Sequence, residues 1–290
     1  MSRKKLLQNL PDRTVLKRRA LAKERVQQYN LFSDLFMSVA LDDKKACEYV
    51  LRIIMGKPDL VVKRVETQET LSKVESRGVR LDVLAEDSEG QIFNIEVQRA
   101  DTVDHARRIR LYSSMIDSEL LQKGAAFGKL PTLVMIYISE TNIWKLNGAM
   151  SRVTKVWEDN GIPFDDGLEI IGVNAAVDDG SQVAALMSYF KTANPADESQ
   201  GELSQRVKYL KTNQGGIQMF IDKMDINYLE GREEGREENA LKSAQKMLAK
   251  KICTDEEIAE ITELPLETIL RLKAQLSQTQ AGTVLPVKKI

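Results

Sequence analysis

Residues 78–98 read GVRLDVLAEDSEGQIFNIEVQ, and the alternation in this stretch, from Gly78 to Gln98, decides the fold. Two alternating runs flank the turn signal Glu86-Asp87-Ser88-Glu89-Gly90, the signature of a β-hairpin. On the second run Phe93, Ile95 and Val97 share one face, and Asn94, Glu96 and Gln98 share the other. On the first, Val79, Leu81, Val83 and Ala85 share a face opposite Arg80, Asp82 and Leu84. The apolar faces must coincide, because a one-residue slip would turn one of them to water. A three-residue loop of Ser88-Glu89-Gly90, with Gly90 left-handed, meets that condition. It pairs Asp87 with Gln91 and therefore sets Asp82 opposite Glu96.

Opposed Cβ atoms on paired strands lie roughly 4.5–5.5 Å apart. Two carboxylates at that spacing repel unless a cation sits between them. Mg2+ takes oxygen ligands at about 2.0–2.1 Å, keeps several waters and commonly uses only one or two carboxylates. The hairpin therefore suits a site for Mg2+ (or Mn2+), which would polarise a phosphoryl oxygen and lower the pKa of a bound water. A hairpin with one plain solvent-facing side would show the same alternation, so the surrounding elements decide between the two.

Upstream, apolar residues recur at helical spacing from Ser33 to Met55 with a break near Leu41–Asp43, and Gly56-Lys57-Pro58 ends the run. Leu60 to Thr67 is β-branched and reads as a strand. Downstream, Val103 to Lys123 is helical and stops at Gly124. Thr132 to Ser139 contains the apolar run LVMIYI, a strand buried on both faces, and Leu168 to Ala175 reads as a further strand. The order is αβββαβ plus one more strand. The strand after the second helix returns beside the first group by a crossover, giving an α/β mixed sheet with helices on its faces.

Composition narrows the chemistry. The 290 residues contain one histidine, His105, and two distant cysteines, Cys47 and Cys253. A Cys/His zinc site lacks ligands, a Ser–His–Asp triad could draw only on His105, and histidine–metal nucleases are excluded. Any catalysis is expected to rest on carboxylates. No run of 18 apolar residues exists and the N-terminus lacks a signal-peptide core, so no membrane span is expected and the cytoplasm fits best. The formal net charge of −1 hides an asymmetry. Residues 1–28 carry nine basic and two acidic side chains, a basic arm suited to nucleic-acid phosphates or to solvation alone.

Beyond Asp178 the chain turns helical and polar. Glu230 to Glu237 repeats EGRE, an exposed marginal helix or linker, since each glycine costs a helix about 1 kcal/mol relative to alanine. Thr254 and Glu257 form a capping box, Leu264-Pro265 breaks the helix, and Leu266 restarts it. This pair has the outline of a helix-turn-helix, but its second helix offers only Arg271, Lys273 and Gln275 among apolar and acidic residues. Self-association through the C-terminal region, giving a homo-oligomer, is the favoured reading. The expected divisions are a basic arm at 1–28, a sheet domain at 29–190, a helical extension and charged linker at 191–238, and a helical module at 239–290.

Val79-Arg80-Leu81-Asp82-Val83 followed by Asn94-Ile95-Glu96-Val97-Gln98-Arg99-Ala100 closely resembles the bacterial PD-(D/E)XK nuclease family transposases, also described as recombination-promoting nuclease-like proteins. The resemblance takes in Phe32 to Phe36, Ala106-Arg107-Arg108, Tyr112-Ser113-Ser114, the EGRE repeat and the segment from Asp255 to Thr262, over roughly residues 29–275. It implies a restriction-endonuclease-like core and a Mg2+-dependent DNA endonuclease promoting recombination or transposition-like events. It makes Asp82 the first metal ligand and Glu96 the acidic member of the (D/E)XK pair. Gln98 stands where the wider superfamily has lysine. Glutamine carries no charge and is no base at neutral pH, so its expected part is to orient water. Glu48 is the candidate glutamate from the first helix. Arg108 and Tyr112, four apart on one helical face, are candidate phosphate contacts together with Arg80 and Arg99. The alternative is a non-catalytic DNA-binding or interaction protein on a nuclease scaffold, with a regulatory or defence role.

Overall fold

The computed structural model describes residues 20–21, 24–71, 79–101, 104–250 and 253–281. Most of the basic arm expected at 1–28 lies outside the described residues, as do Gly78 and Val103, where two elements were expected to begin. The chain divides into two compact units, residues 11–224 and a second that takes in 225–290.

The first unit opens with two helices where the sequence pattern broke once. Helix α1 spans Asp34–Leu41 and α2 spans Lys44–Met55. Asp43 starts α2 by accepting from the amides of Lys45 and Ala46 at 3.1 Å each, which satisfies two of the donors that a helix N-terminus leaves over. Gly56 ends it in the left-handed conformation at φ 67°. Strands β1 (Val62–Leu71), β2 (Val79–Asp87) and β3 (Ile92–Gln98) follow. Next come helix α3 (His105–Leu120) and strands β4 (Leu133–Ser139), β5 (Met150–Arg152) and β6 (Leu168–Asn174). Helices α4 (Gln182–Thr192) and α5 (Gly201–Thr212) follow.

The strands form one mixed sheet in the order β1-β2-β3-β4-β6-β5. The first three are antiparallel, β4 joins β3 in parallel through the α3 crossover, β6 joins β4 in parallel, and β5 is an antiparallel edge. This is the α/β, restriction-endonuclease-like architecture expected from the sequence, with β5 as an addition. Three residues make a strand too short for periodicity to register.

Two apolar cores lie on opposite faces of the sheet. Phe93, Ile95, Val97, Val134, Ile136 and Ile138 face α1, α2, α4 and α5. Ile92, Leu133, Met135 and Tyr137 face Ile109, Met115 and Ile116 of α3. β4 is buried throughout because both faces are covered.

One expected face assignment is corrected. Val79, Leu81, Val83 and Ala85 do not line one face. Val83 and Ala85 enter the first core, whereas Val79 and Leu81 enter the second. The strand turns over at Asp82. On one side its pairing with β3 ends at Val83 opposite Ile95. On the other, the ladder with β1 passes from Thr67–Val83 to Glu69–Leu81, skipping Gln68, which takes φ 58°. A non-glycine residue at positive φ is strained and interrupts a ladder.

The hairpin register is the one the apolar faces demanded. Glu86 pairs with Ile92 and Val83 with Ile95, so Asp82 falls opposite Glu96. Gly90 closes the turn at φ 84°, and the Asp87 amide donates to Gln91 O at 3.1 Å.

Helix α6 spans Gln214–Lys250, begins within the first unit and runs unbroken through the EGRE repeat, so the boundary expected at 238 falls inside a helix; the second unit takes in α6 from residue 225. Helices α7 (Asp255–Thr262) and α8 (Leu266–Ala281) follow. Thr254 and Glu257 make the expected capping box, with the Glu257 amide donating to Thr254 Oγ1 at 3.2 Å and the Thr254 amide to Glu257 Oε2 at 2.7 Å. Ala244, Ile258, Ile269 and Leu272 form its small core. No described helix is long and apolar enough to cross a membrane.

Candidate carboxylate centre

Where the β2–β3 ladder stops, side chains take over from backbone. The Asp82 amide donates to Glu96 Oε1 at 3.1 Å, and the Val97 amide donates to Asp82 Oδ2 at 2.9 Å. Each carboxylate thus closes the strand pair that carries it. Asn94 supports the arrangement, its Nδ2 donating to Glu96 Oε1 at 3.0 Å and to Val83 O at 3.1 Å. Asn94 and Glu96 are buried, at 0% and 1% exposure. The alternation on β3 that singled out Glu96 therefore marks a second protein interior and not a solvent-facing side.

Burial without full compensation sets the electrostatics. Glu96 Oε2 is enclosed yet accepts no hydrogen bond. Its nearest cation is Arg108 Nη2 at 3.5 Å, an ion pair too long for a hydrogen bond. Burial first, and the neighbouring Asp82 second, push the Glu96 carboxyl well above its ordinary range. Burial also lifts Asp82 to about 6, opposed by the Val97 amide and reinforced by the charge of Asp34. Two carboxyls that resist ionising side by side, one with an orphaned oxygen, have the donor chemistry that a hard divalent cation satisfies. Among the described residues no set of three or more His, Cys, Asp or Glu side chains stands ready as a metal cage. The fit is to a cation held by these two carboxylates together with water or substrate oxygens.

Glu48 is not brought to this centre by any contact. Its Oε2 accepts from the Val62 amide at 2.8 Å, and its Oε1 pairs with Arg52 at 2.6 Å, fastening α2 to β1. The acidic neighbour that acts on Asp82 is Asp34, the exposed first residue of α1. Asp34 lies within the Phe32–Phe36 stretch that carried the family resemblance, so its signal was present. Glu48 looked the better candidate only because helical spacing does not tell which helix end points at the sheet opening.

Gln98 and the basic candidates also find definite places. Gln98 Nε2 donates to Ala100 O at 2.6 Å, and Gln98 Oε1 accepts from Arg108 Nη1 at 2.9 Å. The Arg108 guanidinium lies over the Tyr112 ring, 5.0 Å from its centroid. Arg80 is one of the charges that hold Asp82 down. Arg99 is spent on Glu140, with Nε 3.2 Å from Oε2 at an exposed position, which leaves it the least committed to the centre. Sequence reading missed two residues behind Gln98. The Tyr137 hydroxyl lies 3.5 Å from Gln98 Oε1 and 2.9 Å from His105 Nδ1, and His105 Nε2 lies 3.1 Å from Asp101 Oδ1.

Comparison with known proteins adds one match. Residues 51–179 match the PD-(D/E)XK nuclease family transposase model, an interval that contains Asp82, Glu96, Gln98 and Arg108 and all six strands of the sheet. No curated protein and no solved structure matches the chain. Strand order, hairpin register and matched interval agree: residues 51–179 are similar to the PD-(D/E)XK nuclease family transposases and carry their restriction-endonuclease-like fold.

Proposed function

We propose that the protein is a divalent-metal-dependent DNA endonuclease, acting by phosphodiester hydrolysis in recombination or transposition-like events. The observation that carries this reading is the buried pair Asp82 and Glu96, joined at 3.1 Å through one backbone amide while Glu96 Oε2 keeps no hydrogen bond. Asp82 and Glu96 would hold Mg2+ or Mn2+, with the charge of Asp34 acting on Asp82. Such an ion, when bound, activates water and offsets charge on the phosphate. Asp82 and Glu96 meet it as carboxylates, which requires both to give up the protons that burial favours. Arg80, Arg108 and Tyr112 support phosphate contact at the same opening.

A second reading is a DNA-binding scaffold without catalysis. It draws on Gln98, which brings no charge from β3. One assay separates the two. Purified protein should nick supercoiled plasmid with Mg2+ or Mn2+, and Asp82→Ala should abolish nicking. Cleavage that survives in Asp82→Ala removes the site assignment, and binding without cleavage by the wild type supports the scaffold.

Self-association through the C-terminal helices is likewise proposed. Ile261, Leu266 and Leu270 of this unit are 58%, 40% and 50% exposed, apolar area that a second copy would cover. Solution mass with and without residues 230–290 tests it.

A further inference from the structure

Arg108 is the guanidinium this centre holds against its carboxylates, and its three nitrogens are used unequally. Nη1 donates to Gln98 Oε1 at 2.9 Å. Nη2 stops 3.5 Å from Glu96 Oε2, beyond hydrogen-bond range, and Nε is enclosed without any hydrogen-bond partner. The structure therefore spends Nη1 on orientation and holds Nη2 on the side of the carboxylates, short of hydrogen-bond contact with Glu96. The Tyr112 ring supports the flat face, and the side chain as a whole is 30% exposed.

Gln98 is itself held from behind. The direction of its amide follows from its partners. Arginine can only donate and the Ala100 carbonyl can only accept, so Oε1 must face Arg108 and Nε2 must face Ala100. Oε1 is also approached by the Tyr137 hydroxyl, which is anchored by His105 and through it by Asp101. Oε1 takes its one close donor from Arg108, while the Tyr137 hydroxyl makes its short contact with His105 Nδ1 and packs behind the amide at 3.5 Å. A glutamine fixed at both ends of its amide, to Arg108 and to Ala100, sets the direction of the guanidinium.

We infer that Arg108 is the catalytic cation of this centre, and that Gln98 is the positioning residue that aims it. This rests on the nuclease reading above and replaces the water-orienting part expected for Gln98. In the step, a water oxygen bonds to phosphorus as the bond from phosphorus to the leaving deoxyribose oxygen breaks. The water gives one proton to solvent, and the leaving oxygen takes one from solvent. The products are a phosphomonoester and a hydroxyl, and nothing is oxidised or reduced. Charge grows on the non-bridging oxygens. Arg108 stays protonated and donates Nη2–H to them. A cation that the wider superfamily supplies as a lysine on the strand is here supplied by α3 and steered by the residue at the lysine position.

The test uses the full chain in five forms: wild type, Arg108→Gln, Arg108→Lys, Gln98→Ala and Gln98→Lys/Arg108→Gln. Two readouts are taken. One is kcat and KM for plasmid nicking with Mg2+. The other is the affinity for a short duplex against salt, measured in EDTA in the Asp82→Asn background, where no cleavage occurs. Arg108→Gln should lower kcat by about 100-fold or more, as loss of a transition-state donor does, and should reduce the slope of log affinity against log salt by about one. Arg108→Lys should recover part of kcat and the whole slope. Gln98→Ala should lower kcat while leaving the slope, because the charge remains and only its aim is lost. The double variant should regain activity over Arg108→Gln. Wild-type kcat and slope in Arg108→Gln overturn the inference, and wild-type kcat in Gln98→Ala overturns the positioning role. If the wild type binds DNA but never nicks it, the nuclease reading fails, and the salt slope still reports whether Arg108 meets phosphate.

Discussion

The backbone amide of Asp82 donates to the side chain of Glu96 at 3.1 Å, where a strand ladder would have used a carbonyl. The two residues face each other across a hairpin whose pairing has just ended, and their carboxylates complete it. This gives the pair a structural duty in the absence of any ion. It also brings two acids into a dry space where neither ionises readily.

Stability of the metal-free protein should fall as pH rises. A carboxyl whose folded pKa is raised stabilises the fold when protonated. Its contribution is complete below the unfolded value near 3.8 for Asp82 and is lost as pH rises through about 6. For Asp82 the loss is about 3 kcal/mol, and Glu96 extends it to higher pH. Asp82→Asn keeps an acceptor for the Val97 amide and removes the charge. Its melting temperature should exceed that of the wild type by a margin that widens from pH 5 to pH 8. A constant margin would contradict the assigned cause. Mg2+ should stabilise the wild type more at pH 8 than at pH 5 and should leave Asp82→Asn nearly unmoved.

Asp34 and Glu48 should part company on mutation. Asp34→Asn removes an exposed charge that acts on Asp82, so plasmid nicking should drop by at least about tenfold with little change in melting temperature. Glu48→Ala strips the acceptor from the Val62 amide and the partner from Arg52. Its cost should be about 1–3 kcal/mol in urea unfolding, with kcat for nicking close to wild type. Reversed effects would restore Glu48 to the centre.

Gly172 should tolerate no side chain. A Cβ there would stand 2.7 Å from the six-membered ring of Trp144. That ring packs 5.4 Å from Tyr137 and 6.4 Å from His105, centroid to centroid. Gly172→Ala should destabilise by about 1–3 kcal/mol, as overpacking does, measured by chemical denaturation. By displacing the support behind Gln98 it should also lower kcat more than KM.

The capping box at Thr254 should be worth about 1 kcal/mol to the second unit. Thr254→Ala in the full chain should speed amide exchange within Asp255–Thr262 by about fivefold while exchange in the sheet stays as in the wild type.

The residues themselves determined the hairpin and its register, because side-chain direction alternates along a strand and only one parity buries both apolar faces. They determined the ends of α2 and α7 through Asp43, Gly56 and the Thr254–Glu257 pair, since capping is settled within a few residues. The family resemblance was also legible, in Asp82, Glu96 and their neighbours. Tertiary structure alone decided that β2 turns over at Asp82, since that depends on where two neighbouring ladders break and on Gln68 taking a positive φ. It alone brought Asp34 within reach for its charge to act on Asp82 and tied Glu48 to Arg52. It alone set Arg108 against Gln98, with Tyr137 and His105 behind. These relations join residues whose meeting depends on how helices pack on both faces of one sheet. Periodicity describes the local direction of a side chain; which polar groups come to share a space without water is set by the packing of remote elements.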